Sequence, residues 1–457
     1  MKKKRIMTLL SVIMLSGLFA GCRGKQQITD DIVQDIVKDM ENFCGEQERI
    51  SSTEAIGEEF ETNQGENDVK VVNLSEQTNT GICIDYSIDT YQPVQDFGFA
   101  LFKNNMNETN PILSPVSAYI ALTMAGNGAE GNTRQQFYDV LGKDDSMTVL
   151  SDSMMNRLPQ KTEQITLELY NSAWIDDEFT VKDEWIGEVT SLYDAQAFLS
   201  NVSSIEAMNA MNEWVEENTH SLIKQMLEEP LEEETRLVLF NTLYFNGKWK
   251  NPFLMETTYE EEFHISDIET VQAPMMHQYD ERYEFFENDY IKGIVMPYRD
   301  SNLAFVAILP QGNADIRDRL TLTADGLSGI MGDREYQTVH VKLPKFEVSF
   351  DKVLNDSLIN MGLVDAFDGE KADFSSIGTT DSGYPIYISM VRQKAVVKVD
   401  EEGTEAAAAT EVAMAECTAL LDEPIEMYFD KPFLYLIMDM ETEIPLFIGI
   451  MDNPVAE

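Results

Sequence analysis

At 457 residues, 43% of them hydrophobic and 10% aromatic, the chain can bury a substantial core in one large domain or in two or three smaller ones. Against 33 basic residues stand 81 acidic ones, a net charge of −48, which argues against the basic footprint that nucleic-acid phosphates require. Such a field speeds encounters with cationic proteins, or simply keeps an extracellular surface solvated.

The first residues read as a targeting segment. Lys2-Lys3-Lys4-Arg5 gives a charged start, Ile6 to Ala20 an apolar core, and Phe19-Ala20-Gly21-Cys22 a small-residue cleavage site. The apolar run is too short for a confident membrane span. A cysteine directly after Ala-Gly resembles a bacterial lipobox, with Phe19 in the place where Leu is usual. That resemblance implies a signal peptide over 1–21 and lipidation of Cys22, hence an extracytoplasmic lipoprotein held at a membrane or cell surface. With an ordinary signal peptide, Cys22 stays free and the protein is secreted. Of the four cysteines, Cys44 and Cys83 fall between 22 and 90 and are open to pairing with each other, while Cys417 lies near the C-terminus. Their spacing does not resemble a metal site.

Residues 22–90 form a polar, acidic extension. Thr29 is a candidate cap for a helix with Ile32, Val33, Ile36, Val37 and Met40 on its apolar face. Ser51 to Asn67 is poor in apolar residues and reads as a linker, and Val69 to Leu74 as a strand. The region is either a spacer that lifts the remaining chain off the membrane or a small element docked on it.

From Val94 a helical pattern runs through Phe97, Leu101 and Phe102. A second helix runs from Ser114 to Gly126, and a third from Thr133 to Leu141 with Thr133 or Asn132 as its cap. Leu167 to Ile175 is strand-like. Ala207 to Met226 is helical, with Met211, Trp214 and Val215 on one side. Strands and turns dominate from Leu237 to Pro310. Val339 to Glu347 reads as strand and Phe350 to Met361 as a helix ended by Gly362. Phe433–Met440 and Leu446–Met451 are closing strands. Helices mixed with mainly antiparallel strands make an α+β class.

Two enzyme readings fail. Gly126-Asn127-Gly128-Ala129-Glu130-Gly131 spells GxGxxG, but a dinucleotide fingerprint needs a strand before it, and here a helix precedes. The four histidines, His220, His264, His277 and His340, belong to no zinc helix, and no GxSxG elbow is present. They read as surface or packing residues.

The most informative stretch follows a strand at Ala395-Val396-Val397-Lys398-Val399. In Glu401-Glu402-Gly403-Thr404-Glu405-Ala406-Ala407-Ala408-Ala409-Thr410 the even positions Thr404, Ala406, Ala408 and Thr410, continued by Val412 and Met414, are small or apolar. Glu405 and Glu411 are odd. Alternate strand side chains point to opposite faces, so the segment can form a strand with one buried face, a pattern that fails at Glu416. Too small-chained to hold itself in place, it suggests a loop with a second, paired state. This resembles the reactive-loop hinge of the serpins, a family of protease-trapping inhibitors.

Further strings carry that resemblance over roughly residues 91–457: Asn110-Pro111-Ile112-Leu113-Ser114-Pro115-Val116-Ser117, Phe240-Asn241-Thr242-Leu243-Tyr244-Phe245-Asn246-Gly247-Lys248-Trp249 and Val271-Gln272-Ala273-Pro274-Met275-Met276. Leu343-Pro344-Lys345-Phe346, Asp430-Lys431-Pro432-Phe433 and Pro445-Leu446-Phe447-Ile448-Gly449 complete the set. They occur in family order and at family spacing. The resemblance implies one serpin domain over 91–457, with about three β-sheets, eight to nine helices and a mobile loop near the C-terminus. It implies a monomeric inhibitor rather than an enzyme, with no cofactor and serine proteases as partners. A serpin-fold binding protein without inhibition is the alternative.

Residue by residue, the resemblance makes Gly403, Thr404, Glu405, Ala406, Ala407, Ala408 and Ala409 the hinge. It places the reactive bond at Cys417 and Thr418, with cleavage at Met414, Thr418 or Leu420 as alternatives because the stretch to Pro432 is long. No Lys or Arg lies near that bond, which favours elastase-like proteases, with subtilisin-like or chymotrypsin-like ones next. Cys417 also reads as an oxidisable thiol. Ser114, Ser117 and Asn241 match the cluster beneath the centre of the main sheet, with Gln393 where the family usually has His. Trp249, Lys345 and Glu401 match the top of the sheet, where the loop enters.

Overall fold

The computed structural model describes residues 70–72, 88–142, 146–312, 314–319, 323–380, 386–404 and 423–456, all within one compact unit, Glu66–Glu457. The targeting segment, Cys22, Cys44, Cys83, the 29–40 helix and the 51–67 linker lie outside the described residues. So do Glu405 to Ala409, Met414, Cys417, Thr418 and Leu420 of the loop.

Nine α-helices are present among the described residues: α1 (Gln92–Asn105), α2 (Pro115–Asn127), α3 (Gly131–Leu141), α4 (Ser146–Arg157), α5 (Asp183–Leu192), α6 (Ile205–Asn218), α7 (Ile316–Arg319), α8 (Ala324–Met331) and α9 (Asn355–Met361). Strands, numbered along the chain, fall into three sheets. The main sheet runs β1 (Lys70–Val72), β6 (Ala195–Ser200), β4 (Ile165–Asp176), β7 (Leu237–Lys248), β16 (Gly403–Thr404), β15 (Arg392–Val399) and β13 (Phe346–Val353), with β3 (Gln160–Lys161) on β4. The second runs β17 (Ile425–Tyr428), β12 (Glu335–Pro344), β9 (Glu269–Glu287), β10 (Ile291–Pro297), β11 (Leu303–Pro310), β18 (Phe433–Asp439), β19 (Ile444–Met451) and β2 (Ile112–Leu113), with β8 (Thr258–Ser266) on β9. A short pair, β14 (Gly378–Thr380) and β5 (Phe179–Val181), makes the third.

The core sits between the two large sheets. β11, β18 and β19 are buried at every position, as continuous apolar runs demand. α2 is apolar on all sides rather than on one stripe, so it can be satisfied only in the interior. It packs against β7 on one side and β19 on the other. β1 pairs β6 at the edge of the main sheet, so the sheet takes a strand from the stretch assigned to the extension.

Three element boundaries differ from the sequence reading, each for a tertiary reason. α6 ends at Asn218, not Met226: His220 and Ser221 adopt positive φ, and the Asn212 side chain accepts the backbone N–H of Met226 and Leu227, both at 2.8 Å. The chain therefore doubles back along its own helix. Residues 350–353 are strand, because Phe350 and its neighbours complete a ladder with β15. That pairing overrides their helical pattern, and only 355–361 remain helical before the left-handed Gly362. α3 begins at Gly131, and the Thr133 hydroxyl accepts from the Asp373 backbone instead of capping.

Candidate functional site: the gap between β7 and β15

The top of the main sheet is built around residues 400–404. β16 runs antiparallel to both neighbours, with Thr404 opposite Gly247 and Val399, and Gly403 opposite Lys248. Gly403 is required there, because a Cβ would collide with the Gly247 carbonyl oxygen. The Thr404 hydroxyl shares a 2.6 Å hydrogen bond with the Tyr298 hydroxyl. The Tyr298 ring stacks on Trp249, with centroids 4.9 Å apart. Trp249 in turn donates through Nε1 to the Asp400 carbonyl at 2.9 Å and through its backbone to the Glu402 carbonyl at 2.8 Å.

Glu401 is buried, and its carboxylate accepts from Lys345 Nζ at 2.8 Å and the Thr258 hydroxyl at 2.9 Å. Burial opposes its ionisation, but those bonds, led by Lys345, outweigh burial and hold the carboxyl below its ordinary value. Beside it, Asp400 Oδ1 accepts the backbone N–H of Glu402 at 3.0 Å and Gly403 at 3.3 Å, an Asx turn. Burial raises the Asp400 carboxyl, against the pull of those two N–H groups.

Below this two-residue bridge, β7 and β15 share no ladder among the described residues. A cavity of about 570 Å³ lies along them, lined by Leu239, Asn241 and Leu243 of β7, Gln393 and Ala395 of β15, Ser114 and Ser117 at the start of α2, and the tail that follows α6. The first turn of α2 ties both rims. Ser114 caps the helix, its hydroxyl accepting from the Ser117 N–H. The Gln393 amide bonds Ser114 twice, accepting its N–H at 3.0 Å and donating to its carbonyl at 2.8 Å. The Ser117 hydroxyl donates to the Asn241 carbonyl of the opposite rim at 3.3 Å. Asn241 Nδ2 donates to Asn171 Oδ1 at 2.7 Å, while among the described residues its own Oδ1 is buried without a partner. An unsatisfied buried oxygen is costly and calls for a reason.

The structure thus gathers Ser114, Ser117, Asn241 and Gln393 at the middle of the gap, and Trp249, Lys345, Glu401, Gly403 and Thr404 at its top. Sequence reasoning missed Asp400, Tyr298, Thr258 and Asn171. Asp400-Glu401-Glu402-Gly403 carries an Asx-turn signal that identifies the first; the other three come from distant strands and leave no local trace. Among the described residues no group of three or more His, Cys, Asp or Glu is placed to hold a metal ion.

This architecture agrees with comparison to known proteins. The family model described as Serpin (serine protease inhibitor) matches residues 92–454. The chain belongs to the serpin family. Among its relatives, alpha-1-antitrypsin-like protein GS55-MS of Ictidomys tridecemlineatus is 31% identical over 79% of this chain and 87% of that protein. A serpin-like protein of Methanosarcina acetivorans is 33% identical over 76% and 82%. Among solved structures, the native state of the thermophilic serpin Tengpin gives a TM-score of 0.76 at 29% identity, covering 84% of this chain and all of that one. Members of the serpin family are generally protease inhibitors rather than catalysts.

Glu401→Lys sets two cations side by side at the top of the sheet. Warmed samples of this variant should form polymers on native gels where the parent stays monomeric; an equal monomer content contradicts the assignment. The ion pair also has a defined pH dependence. The folded Glu401 carboxyl titrates below its ordinary 4.5, so its contribution is present above that pH and is lost as pH falls through the depressed value. Lys345 is partly exposed, so the pair is worth only about 1 kcal/mol. The difference in melting temperature between the parent and Glu401→Gln should therefore shrink on acidification below pH 4.5. A constant difference contradicts it.

Proposed function

We propose that this serpin inhibits serine proteases by suicide trapping. The protease nucleophile attacks a loop carbonyl, forms an acyl-enzyme and releases the C-terminal side of the cut. The freed loop then enters the gap between β7 and β15 as a new strand, a mode of strand addition for which serpins are a standard example. The acylated protease is carried along and distorted before water can release it.

The register at Thr404 is the observation that supports this reading best. Thr404 faces Gly247 and Val399. In an inserted loop that keeps this register, Ala406 falls opposite Phe245 and Val397, Ala408 opposite Leu243 and Ala395, and Thr410 opposite Asn241 and Gln393. Val397, Ala395 and Gln393 are buried, whereas Lys394 and Val396 between them are less so. Even loop positions, the small and apolar ones, therefore turn inward, and Glu405 and Glu411 turn out. Thr410 also brings a hydroxyl to the unpartnered Asn241 oxygen. Insertion adds roughly ten backbone hydrogen bonds, at about 0.5–1.5 kcal/mol each, so it runs downhill.

With Cys417 and Thr418 flanking the cut, small to medium apolar specificity fits elastase-like enzymes. The leader and Cys22 support a bacterial lipoprotein anchored outside the cytoplasm, and the family resemblance a monomer. Incubation with elastase, subtilisin and chymotrypsin should give a complex that survives SDS. Mass spectrometry of the released fragment should place the cut after Cys417. Failure of all three proteases to form such a complex contradicts trapping, and a cut after a basic residue contradicts the specificity.

A further inference from the structure

Four neighbouring strands of the second sheet, β8, β9, β12 and β17, share a connected run of aromatic rings. The register sets Lys342 of β12 opposite both His277 of β9 and Tyr428 of β17, and His340 of β12 opposite Glu426 of β17. The His277 ring centroid lies 5.5 Å from that of Tyr259 on β8, 5.8 Å from Tyr279 and 5.8 Å from His340. His340 is 4.3 Å from Tyr279 and meets Tyr428 in a T-shaped contact at 5.1 Å. The Tyr428 hydroxyl is 3.1 Å from His340 Nδ1, and Lys342 Nζ stands over the same tyrosine ring at 4.8 Å. These contacts join β17 to its neighbours, and β17 is the strand into which residues 405–422 lead. It is four residues long and, among the described residues, laddered only to β12, with Lys292 Nζ of β10 donating to its Glu426 carbonyl at 2.8 Å.

The two histidines are poorly provided for as cations. Among the described residues, Nε2 of each ring is buried and makes no hydrogen bond. Glu261 Oε1 of β8 is 3.2 Å from His277 Nε2 but off the line of a hydrogen bond, and its other oxygen accepts Lys342 Nζ at 2.7 Å. A neutral imidazole can leave Nε2 as a bare lone pair, whereas a protonated one must place an N–H there. Burying that donor without an acceptor is costly. The charged groups facing the pair are Glu261 from β8, Asp280 from β9, Lys342 from β12 and Glu426 from β17. Tyr428 is pushed up to about 12 by burial, so it stays neutral. Burial is the largest influence on both histidines, and Lys342 adds to it. Together they outweigh the three carboxylates and hold both rings below the ordinary 6.5.

We propose that His277 and His340 form an acid-sensitive clasp on β17: the neutral pair holds the strand that follows the loop, and the protonated pair lets it loosen. The sign follows from burial. Both rings favour the neutral form in the closed arrangement, so their contribution is complete above 6.5 and is lost as pH falls through the depressed values. Loosening β17 removes Tyr428 from the face of His340 and admits water to its Nε2. The same step parts Tyr428 from Lys342, whose charge opposes that of the protonated rings. A protonated pair is therefore better satisfied in the open arrangement than in the closed one.

Amide hydrogen exchange across 425–428 in the full, uncut chain tests the clasp. Corrected for the intrinsic rate, exchange in the parent should be roughly tenfold faster at about pH 5 than at about pH 7.5, the factor that about 1.4 kcal/mol confers. The double variant His277→Asn/His340→Asn keeps an amide near each Nδ1 position and cannot charge, so its exchange should be the same at both pH values. A pair that serves packing alone gives a different result: the double variant exchanges faster at both pH values and keeps the acid-to-neutral ratio of the parent. A second readout needs no substitution. Followed by NMR in the parent, the His277 and His340 rings should titrate below 6.5, in step with the rise in exchange. A parent whose exchange ignores pH, a double variant that keeps the parent's ratio, or rings that titrate at or above 6.5 each overturn the clasp. No protease enters these measurements, so they decide the clasp independently of trapping.

Discussion

Two strand edges that face each other without pairing are the constraint on which the rest of this structure depends. β7 and β15 are each hydrogen-bonded to a neighbour on their far side, and among the described residues they are joined across the gap only by the two residues of β16. Unpaired edges are a standing invitation to another strand. Here they lie in the middle of a sheet, roofed by the α6 tail and floored by the first turn of α2. The chain holds the edges apart with a small number of directional bonds. Gln393 and Ser117 fix both rims to one helix end, and Glu401, Lys345 and Trp249 fix the top.

The means of closure suit the trapping proposed above, in which the gap opens once and does not drift open. An apolar seal between β7 and β15 would be strong and non-directional, and reopening it would expose its area to water. Hydrogen bonds from Gln393 and Ser117 break individually and exchange for others. Gln393 has a further consequence. A carboxamide donates and accepts but does not gain a proton near neutral pH, so the bridge from Gln393 to Ser114 does not itself titrate. At the top, by contrast, Lys345 holds Glu401 ionised.

Much of this was legible in the sequence, and the reasons are local. β15 showed itself by its alternating run, and the parity of the stretch after it marked a segment able to form a strand, of which Gly403 and Thr404 are described as one. The register at Thr404 gives that same parity a buried side through Val397, Ala395 and Gln393. The serpin strings located Ser114, Ser117, Asn241, Trp249 and Lys345 because each lies in a continuous motif. What stayed hidden depends on partners far along the chain. The end of α6 was misplaced because Asn212, fourteen and fifteen positions before its partners, turns the chain back. Phe350 to Val353 carry a helical pattern, and only the ladder with β15 makes them strand. Tyr298 sits beneath Thr404 at a separation of 106 positions, a contact that no window of sequence contains.

The central claim is that the folded chain holds an unfilled position in its main sheet, which its own loop stabilises on entering. The direct measurement is the melting temperature before and after a single cut in the loop by a protease that is then removed. The account predicts a rise of tens of degrees, since roughly ten ladder bonds form and the two facing edges disappear. A cut chain that melts where the intact one does contradicts it.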